Sequence, residues 1–184
     1  MTGELERLRE TKTASEDIFR GNILHLFLDM VELPNGKIDH RELIRHIGAV
    51  AVIPVNENGE VVVERQYRYP IDMVMTEIPA GKLDAKDEDP LLAAKRELQE
   101  ETGYTADNWT DLGPFYPAPA YSDEKIELYL AQGLHLGERH LDDDEFIDVQ
   151  LVPLAELVKQ VMAGDIYDAK TQIAVLRAAR MLGK

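Results

Sequence analysis

Apolar positions fall into two registers along this chain. At 49–55 the run Ala49-Val50-Ala51-Val52-Ile53-Pro54-Val55 is apolar on both faces, the pattern of a strand covered on both sides. Residues 56–60 have turn chemistry, 61–68 return as a partner strand, and beyond Pro70 a further strand runs through Met73 and Met75 to Glu77. Strands are also predicted at 109–116 and 125–132, flanking a proline-rich loop, and at 146–152. Upstream, Leu24, Leu26 and Leu28 alternate with His25, Phe27 and Asp29, Pro34-Asn35-Gly36 marks a turn, and the chain returns through Ile38 to Ile44 as a hairpin. The polar residues up to about Ser15 read as an arm or as the lead-in to a first strand.

Helical spacing occurs three times. Asp89 as cap and Pro90 at the first helical position open a stretch of good helix formers that Gly103 closes. Leu154, Leu157, Val158 and Val161 follow Pro153, while Ile173, Leu176 and Ala179 share a face beyond Asp168. Strands with helices following and flanking them imply the α/β class, a mixed sheet between helical layers. A lone hairpin is marginal in water, so an N-terminal β region, 1–45, is expected to pack on the main domain, 46–184, or on a second subunit.

Length and composition narrow the class. A chain of 184 residues supports one principal core. It contains no cysteine, which excludes disulfides, thiolate catalysis and cysteine-ligated zinc. The charged start and the lack of any apolar run near the roughly 18 residues of a membrane span make the cytoplasm the expected compartment. A net charge of −15 disfavours nucleic acid and anionic membranes as partners, so an anionic small substrate must be received by metal and a few local arginines. The five histidines show no paired metal-ligand spacing.

The helix opened by Pro90 carries the chemistry. At about 100° per residue, Glu97, Glu100 and Glu101 share a face beside the apolar stripe of Leu91, Ala94 and Leu98. Like charges three and four residues apart repel, and hard oxygens so clustered suit Mg²⁺ or Mn²⁺. The competing reading is a solvated acidic face with Arg96 pairing to Glu100 one turn on.

In order, Gly81, Glu88, Arg96-Glu97-Leu98, Glu100-Glu101 and Gly103-Tyr104 resemble the Nudix box, a glycine, five residues, a glutamate, seven residues, then Arg-Glu-apolar-any-Glu-Glu-any-Gly-apolar. One departure is that residues 82–87 put six positions between Gly81 and Glu88: either the loop carries an extra residue or Asp87 stands in for the glutamate. The resemblance implies the Nudix α/β/α sandwich, with the small N-terminal β-hairpin region added. It further implies hydrolysis of a nucleoside diphosphate linked to some group, with the box holding metal and water.

Outside the box, Arg65-Gln66-Tyr67-Arg68-Tyr69-Pro70, Glu77-Ile78-Pro79-Ala80-Gly81, Ala118-Pro119-Ala120-Tyr121-Ser122-Asp123-Glu124 and Asp142-Asp143-Asp144-Glu145-Phe146-Ile147 look like the ADP-ribose pyrophosphatase branch of that family. A proline about fifteen residues past the box marks the branch, and Pro119 takes that place; Ala120 differs from the glycine usual beside it. The branch resemblance implies a Mg²⁺-dependent (or Mn²⁺-dependent) homodimeric enzyme that hydrolyses ADP-ribose to AMP and ribose 5-phosphate. Alternatives are the same chemistry on a sugar nucleotide or NADH, or a non-catalytic ADP-ribose-binding module.

Roles follow from the resemblance together with the needs of phosphoryl transfer, in which charge is neutralised and a water is aimed in line. Glu97 and Glu101 are expected as principal metal ligands, Glu100 as a further ligand or water bridge, and the Ala80 carbonyl as completing the set. Glu145, or else Asp143, is the expected general base, acting with Glu100 and Glu101 in catalysis. Arg68 suits the diphosphate through its planar fork, and Arg41 matches a second substrate arginine, one that in the branch can serve the other subunit. Glu77, Pro119 and Glu124 complete the expected substrate contacts. Tyr67 and Phe19 are candidates for adenine stacking, with core or interface packing as their alternative.

Overall fold

The polar N-terminal stretch is itself a strand. In the computed structural model, which describes residues 6–141 and 146–184, Thr11–Arg20 (β1) pairs antiparallel with His25–Glu32 (β2), and β2 with Ile38–Arg45 (β3). All ten residues of β1 are exposed, so no alternation marks it in the sequence. The β2–β3 turn is the one expected: Gly36 takes φ 78° and its N–H donates to the Leu33 carbonyl. Asp29 on β2 is buried and is bonded by the Ser15 hydroxyl and by Arg45 Nη2 at 3.0 Å. The segment Ala118–Lys125 belongs to this first unit, which otherwise comprises the residues up to Ile47. Ile44 N–H donates to the Tyr121 carbonyl at 2.8 Å, and Asp123 N–H to the Ile44 carbonyl at 3.2 Å.

Gly48–Pro117 and Ile126–Lys184 form the second unit. Its strands are Ala49–Val55 (β4), Glu60–Arg68 (β5), Met73–Glu77 (β6), Ala80–Lys82 (β7), Tyr104–Asp111 (β8), Ile126–Leu136 (β9) and Ile147–Pro153 (β10). They lie in the order β10-β5-β4-β9-β8, with β6 on β5 and β7 on β4. The sheet is mixed because β4 and β9 run parallel while the neighbouring pairs are antiparallel.

The apolar run on β4 is explained by its two coverings. Ala51, Ile53 and Val55 point into a core completed by Leu154–Ala163 (α2) and Ala169–Met181 (α3), whereas Val50 and Val52 point into a core completed by Pro90–Thr102 (α1). One helix on one face and two on the other make the α/β/α sandwich. A shift from the sequence pattern occurs at 109–116: β8 ends at Asp111, whose carboxylate accepts the Gly113 N–H at 2.6 Å, and Gly113 turns the chain with φ 80°. Among the described residues no helix is long and apolar enough to cross a membrane.

Candidate active site

Helix α1 begins and ends where its local chemistry demands. The Asp89 carboxylate accepts the Leu91 N–H at 2.8 Å, Pro90 sits in the first turn, and Gly103, at φ 78°, donates its N–H to the Gln99 carbonyl. This phase buries Ala94 and Leu98 and, with them, Glu97 and Glu101, which are only 9% and 6% exposed. A solvated acidic face is therefore not what the helix presents at those two positions. Glu100 stands further out, with 42% of its side chain exposed.

What faces the buried glutamates is the corner between β6 and β7. Ala80 N–H donates to Glu101 Oε2 at 2.8 Å. A Cβ built on Gly81 would lie 2.1–2.2 Å from all three carboxylate atoms of Glu97, so any side chain there would force that carboxylate to shift. The corner is fixed from behind by pairing of Ala80 with Ala51 on β4 and by Val52 N–H donating to the Pro79 carbonyl at 2.9 Å.

Arg96 lies among four carboxylates. Its Nη1 donates to Glu97 Oε1 at 2.8 Å and Glu100 Oε2 at 3.3 Å, and its Nη2 stands 3.5 Å from both Glu88 Oε1 and Asp84 Oδ2. Burial alone would lower the Arg96 pKa, but the charges of Glu97, Asp84 and Glu88 outweigh it and raise the value. The expected Arg96–Glu100 pair is thus present within a larger cluster. Glu88, which also accepts the Asp84 N–H at 2.6 Å, is the glutamate that faces Arg96, whereas Asp87 is exposed. The loop accommodates an additional residue.

A second charged cluster adjoins the corner. Arg68 Nε and Nη2 bind the two Glu77 oxygens at 2.6 and 2.7 Å, and Lys170 Nζ also binds Glu77 Oε2. Lys170 further pairs with Asp168 at 3.1 Å. Burial pushes the Glu77 carboxyl up, but the Arg68 hydrogen bonds and the Lys170 charge hold it below the usual carboxylate value. Arg68 is raised by its bond to Glu77 against the effect of burial, with smaller contributions from Asp168 and Glu101. Behind the cluster, Asp168 caps α3 through the Thr171 N–H, and Thr171 Oγ1 accepts the Ile78 N–H at 2.9 Å. Sequence reasoning missed Lys170, Asp168 and Thr171 as parts of this site, because Lys170 and Thr171 meet their β6-corner partners 93 residues away.

Three expected substrate residues lie in the first unit. Arg41 is held by Glu10 at 2.6 and 2.9 Å and by Asp39 at 2.9 Å, and those bonds raise its pKa. Pro119 is exposed in a turn in which Tyr121 and Ser122 N–H both donate to the Ala118 carbonyl. Glu124 Oε1 is 3.8 Å from His46 Nδ1. Ala120 does not adopt a positive φ, so its methyl brings no backbone strain of that kind. The Tyr67 hydroxyl donates to Asp72 at 2.6 Å, and Phe19 is exposed on β1. Glu145 and Asp143 lie outside the described residues.

Among the described residues no group of three His, Cys, Asp or Glu side chains is arranged to hold a metal ion. The donor types at the corner nevertheless fit a hard divalent cation. Glu97 and Glu101 offer two buried carboxylates one turn apart beside the Ala80-Gly81 backbone, oxygen donors of the kind that hard cations prefer.

A mixed sheet between helical layers, with buried carboxylates of one helix set against a glycine-bearing corner, is an arrangement that can present a hard cation to a phosphate ester or diphosphate. Residues 44–172 match the NUDIX domain, and residues 10–44 match the nucleoside diphosphate sugar hydrolase N-terminal domain. The chain belongs to the Nudix family, whose hydrolases generally use a divalent metal. It is 44% identical to an ADP-ribose pyrophosphatase of Bacillus subtilis, over 93% of each chain. With a methanol dehydrogenase activator of Bacillus methanolicus it shares 46% identity over 92% of each. A solved structure of an ADP compounds hydrolase superposes with TM-score 0.85 over 96% of each chain, at 24% identity, and supports the fold.

Proposed function

We propose that this protein hydrolyses ADP-ribose to AMP and ribose 5-phosphate with Mg²⁺, or Mn²⁺ in its place. The observation that carries the reading is the buried pair Glu97 and Glu101 set against the Ala80-Gly81 corner. Glu97 and Glu101, with Glu100 and the Ala80 carbonyl, would hold the cation. When bound, the cation neutralises charge on the diphosphate and makes a water more acidic.

The chain's own groups do the rest. Buried glutamates tied to α1 and β7 do not reorganise when charge develops, which favours the transition state over the ground state. Arg68, paired with Glu77, contributes a guanidinium beside that corner for diphosphate oxygens. Glu145, with Asp143 as the alternative, takes the proton of the attacking water as its oxygen bonds to phosphorus and the bridging P–O bond breaks. Arg41, Pro119 and Glu124 are assigned to substrate binding on the family resemblance. A homodimer belongs to the same reading, supported by the ten-residue edge strand β1, exposed throughout and carrying Ile18 and Phe19. The compartment is the cytoplasm, and nucleic acid and membranes are not partners of a chain of net charge −15.

A second reading, the same cleavage on a nucleoside diphosphate sugar, is favoured by the match of residues 10–44 to an N-terminal domain named for such hydrolases. Comparing kcat/KM over ADP-ribose, sugar nucleotides and dinucleotides, with and without Mg²⁺, separates them. ADP-ribose should lead the panel, with AMP as a product; no turnover of any diphosphate would defeat both readings and leave a binding module.

A further inference from the structure

Lys170 is a buried cation that the chemistry described above does not use. Its side chain is 10% exposed, it projects from the first turn of α3, and it binds Glu77 and Asp168. Glu77, whose side chain is 4% exposed, already has a counter-ion in Arg68, which commits two nitrogens of its fork to it. One buried carboxylate therefore holds two cations, and the two differ in surroundings. Arg68 has 42% of its side chain exposed and feels the charge of Glu101, whereas Lys170 is enclosed.

We propose that Lys170 is a positioning residue for substrate binding, the resident counter-ion of Glu77 that allows Arg68 to turn its fork to a diphosphate. A carboxylate this deeply buried cannot be left without a cation, because water does not reach it to replace the lost partner. With Arg68 as sole partner, turning the guanidinium to a phosphate oxygen would leave Glu77 charged, buried and uncompensated. Lys170 removes that conflict, since Glu77 stays paired and Asp168 keeps the ammonium in place. This inference rests on the reading of Arg68 as a diphosphate contact.

Steady-state kinetics of ADP-ribose hydrolysis with Mg²⁺ in four variants tests it, each first checked for a native thermal transition. Lys170→Met should raise KM on the order of tenfold while kcat stays within about twofold, because a buried ion pair is lost from the binding step rather than from chemistry. Lys170→Arg should restore KM, since it keeps the charge. In the double variant Glu77→Gln with Lys170→Met, Arg68 has no charge to abandon, and KM should fall below that of Lys170→Met alone. Arg68→Gln should raise KM in its own right. An unchanged KM in Lys170→Met beside a raised KM in Arg68→Gln would overturn the proposal alone. So would a double variant as impaired as Lys170→Met or worse, the signature of a structural brace. An unchanged KM in Arg68→Gln would overturn the diphosphate assignment and the proposal with it.

Discussion

The Glu97 carboxylate occupies the space that a side chain on Gly81 would need. The two residues come from different elements, α1 and β7, and their contact sets how closely the acidic helix approaches the corner. Gly81→Ala should displace the carboxylate or the corner, costing about 1–3 kcal/mol of stability through overpacking. A misplacement of that kind should also lower kcat on the order of a hundredfold. Urea titration and single-turnover rates read the two effects, and a Gly81→Ala enzyme with parental kcat would show that the close approach has no catalytic purpose.

Arg96 is the fixed counter-charge of the cluster formed by Glu97, Glu100, Glu88 and Asp84. Replacing it with Met leaves those carboxylates to repel one another, so added Mg²⁺ should raise the melting temperature of Arg96→Met by more than that of the parent. Equal shifts in a thermal-melt series from zero to millimolar Mg²⁺ would mean that the cation binds elsewhere.

Acid should act through Glu77. Its carboxyl is held below the usual value of 4.5 when folded, so its contribution to stability is complete above the unfolded pKa and lost as pH falls through the folded one. Comparing unfolding free energies of the parent and Glu77→Gln from pH 7 down to pH 2 should give a difference that is constant above about pH 5 and shrinks below it. A difference that grows on acidification would reverse the sign and remove Glu77 from the acid response.

The attachment of the corner to α3 can be measured separately. Thr171 is fully buried, and Thr171→Val would leave the Ile78 N–H without its acceptor, at about 1–3 kcal/mol. Asp168→Ala removes the helix cap and should cost about 1 kcal/mol, with further loss from its ion pair to Lys170. Denaturant midpoints at neutral pH give both values; neutral substitutions at both positions would mean that the corner stands without α3.

Local chemistry makes part of this legible from residues alone. The α1 boundaries follow from Asp89, Pro90 and Gly103, which act within one turn, and β4 declares burial on both faces because both cores are built partly from it. The fully exposed β1 has no period to read, and the break at Gly113-Pro114 ends β8 earlier than its composition implies. In the candidate site, periodicity places the glutamates on one helix face. It cannot place the charges that steady the corner, because Lys170 reaches Glu77 only through the tertiary fold. Gly81 is visible as a motif position, but its reason, the Glu97 carboxylate, is a contact between elements.

Turnover of ADP-ribose at saturating Mg²⁺ by Glu97→Gln and Glu101→Gln, each shown to be folded, tests the central assignment most directly. Loss of about two to four orders of magnitude in kcat is the expected result, because each substitution removes a charge from the cation's ligand set. Near-parental turnover in both variants would contradict it.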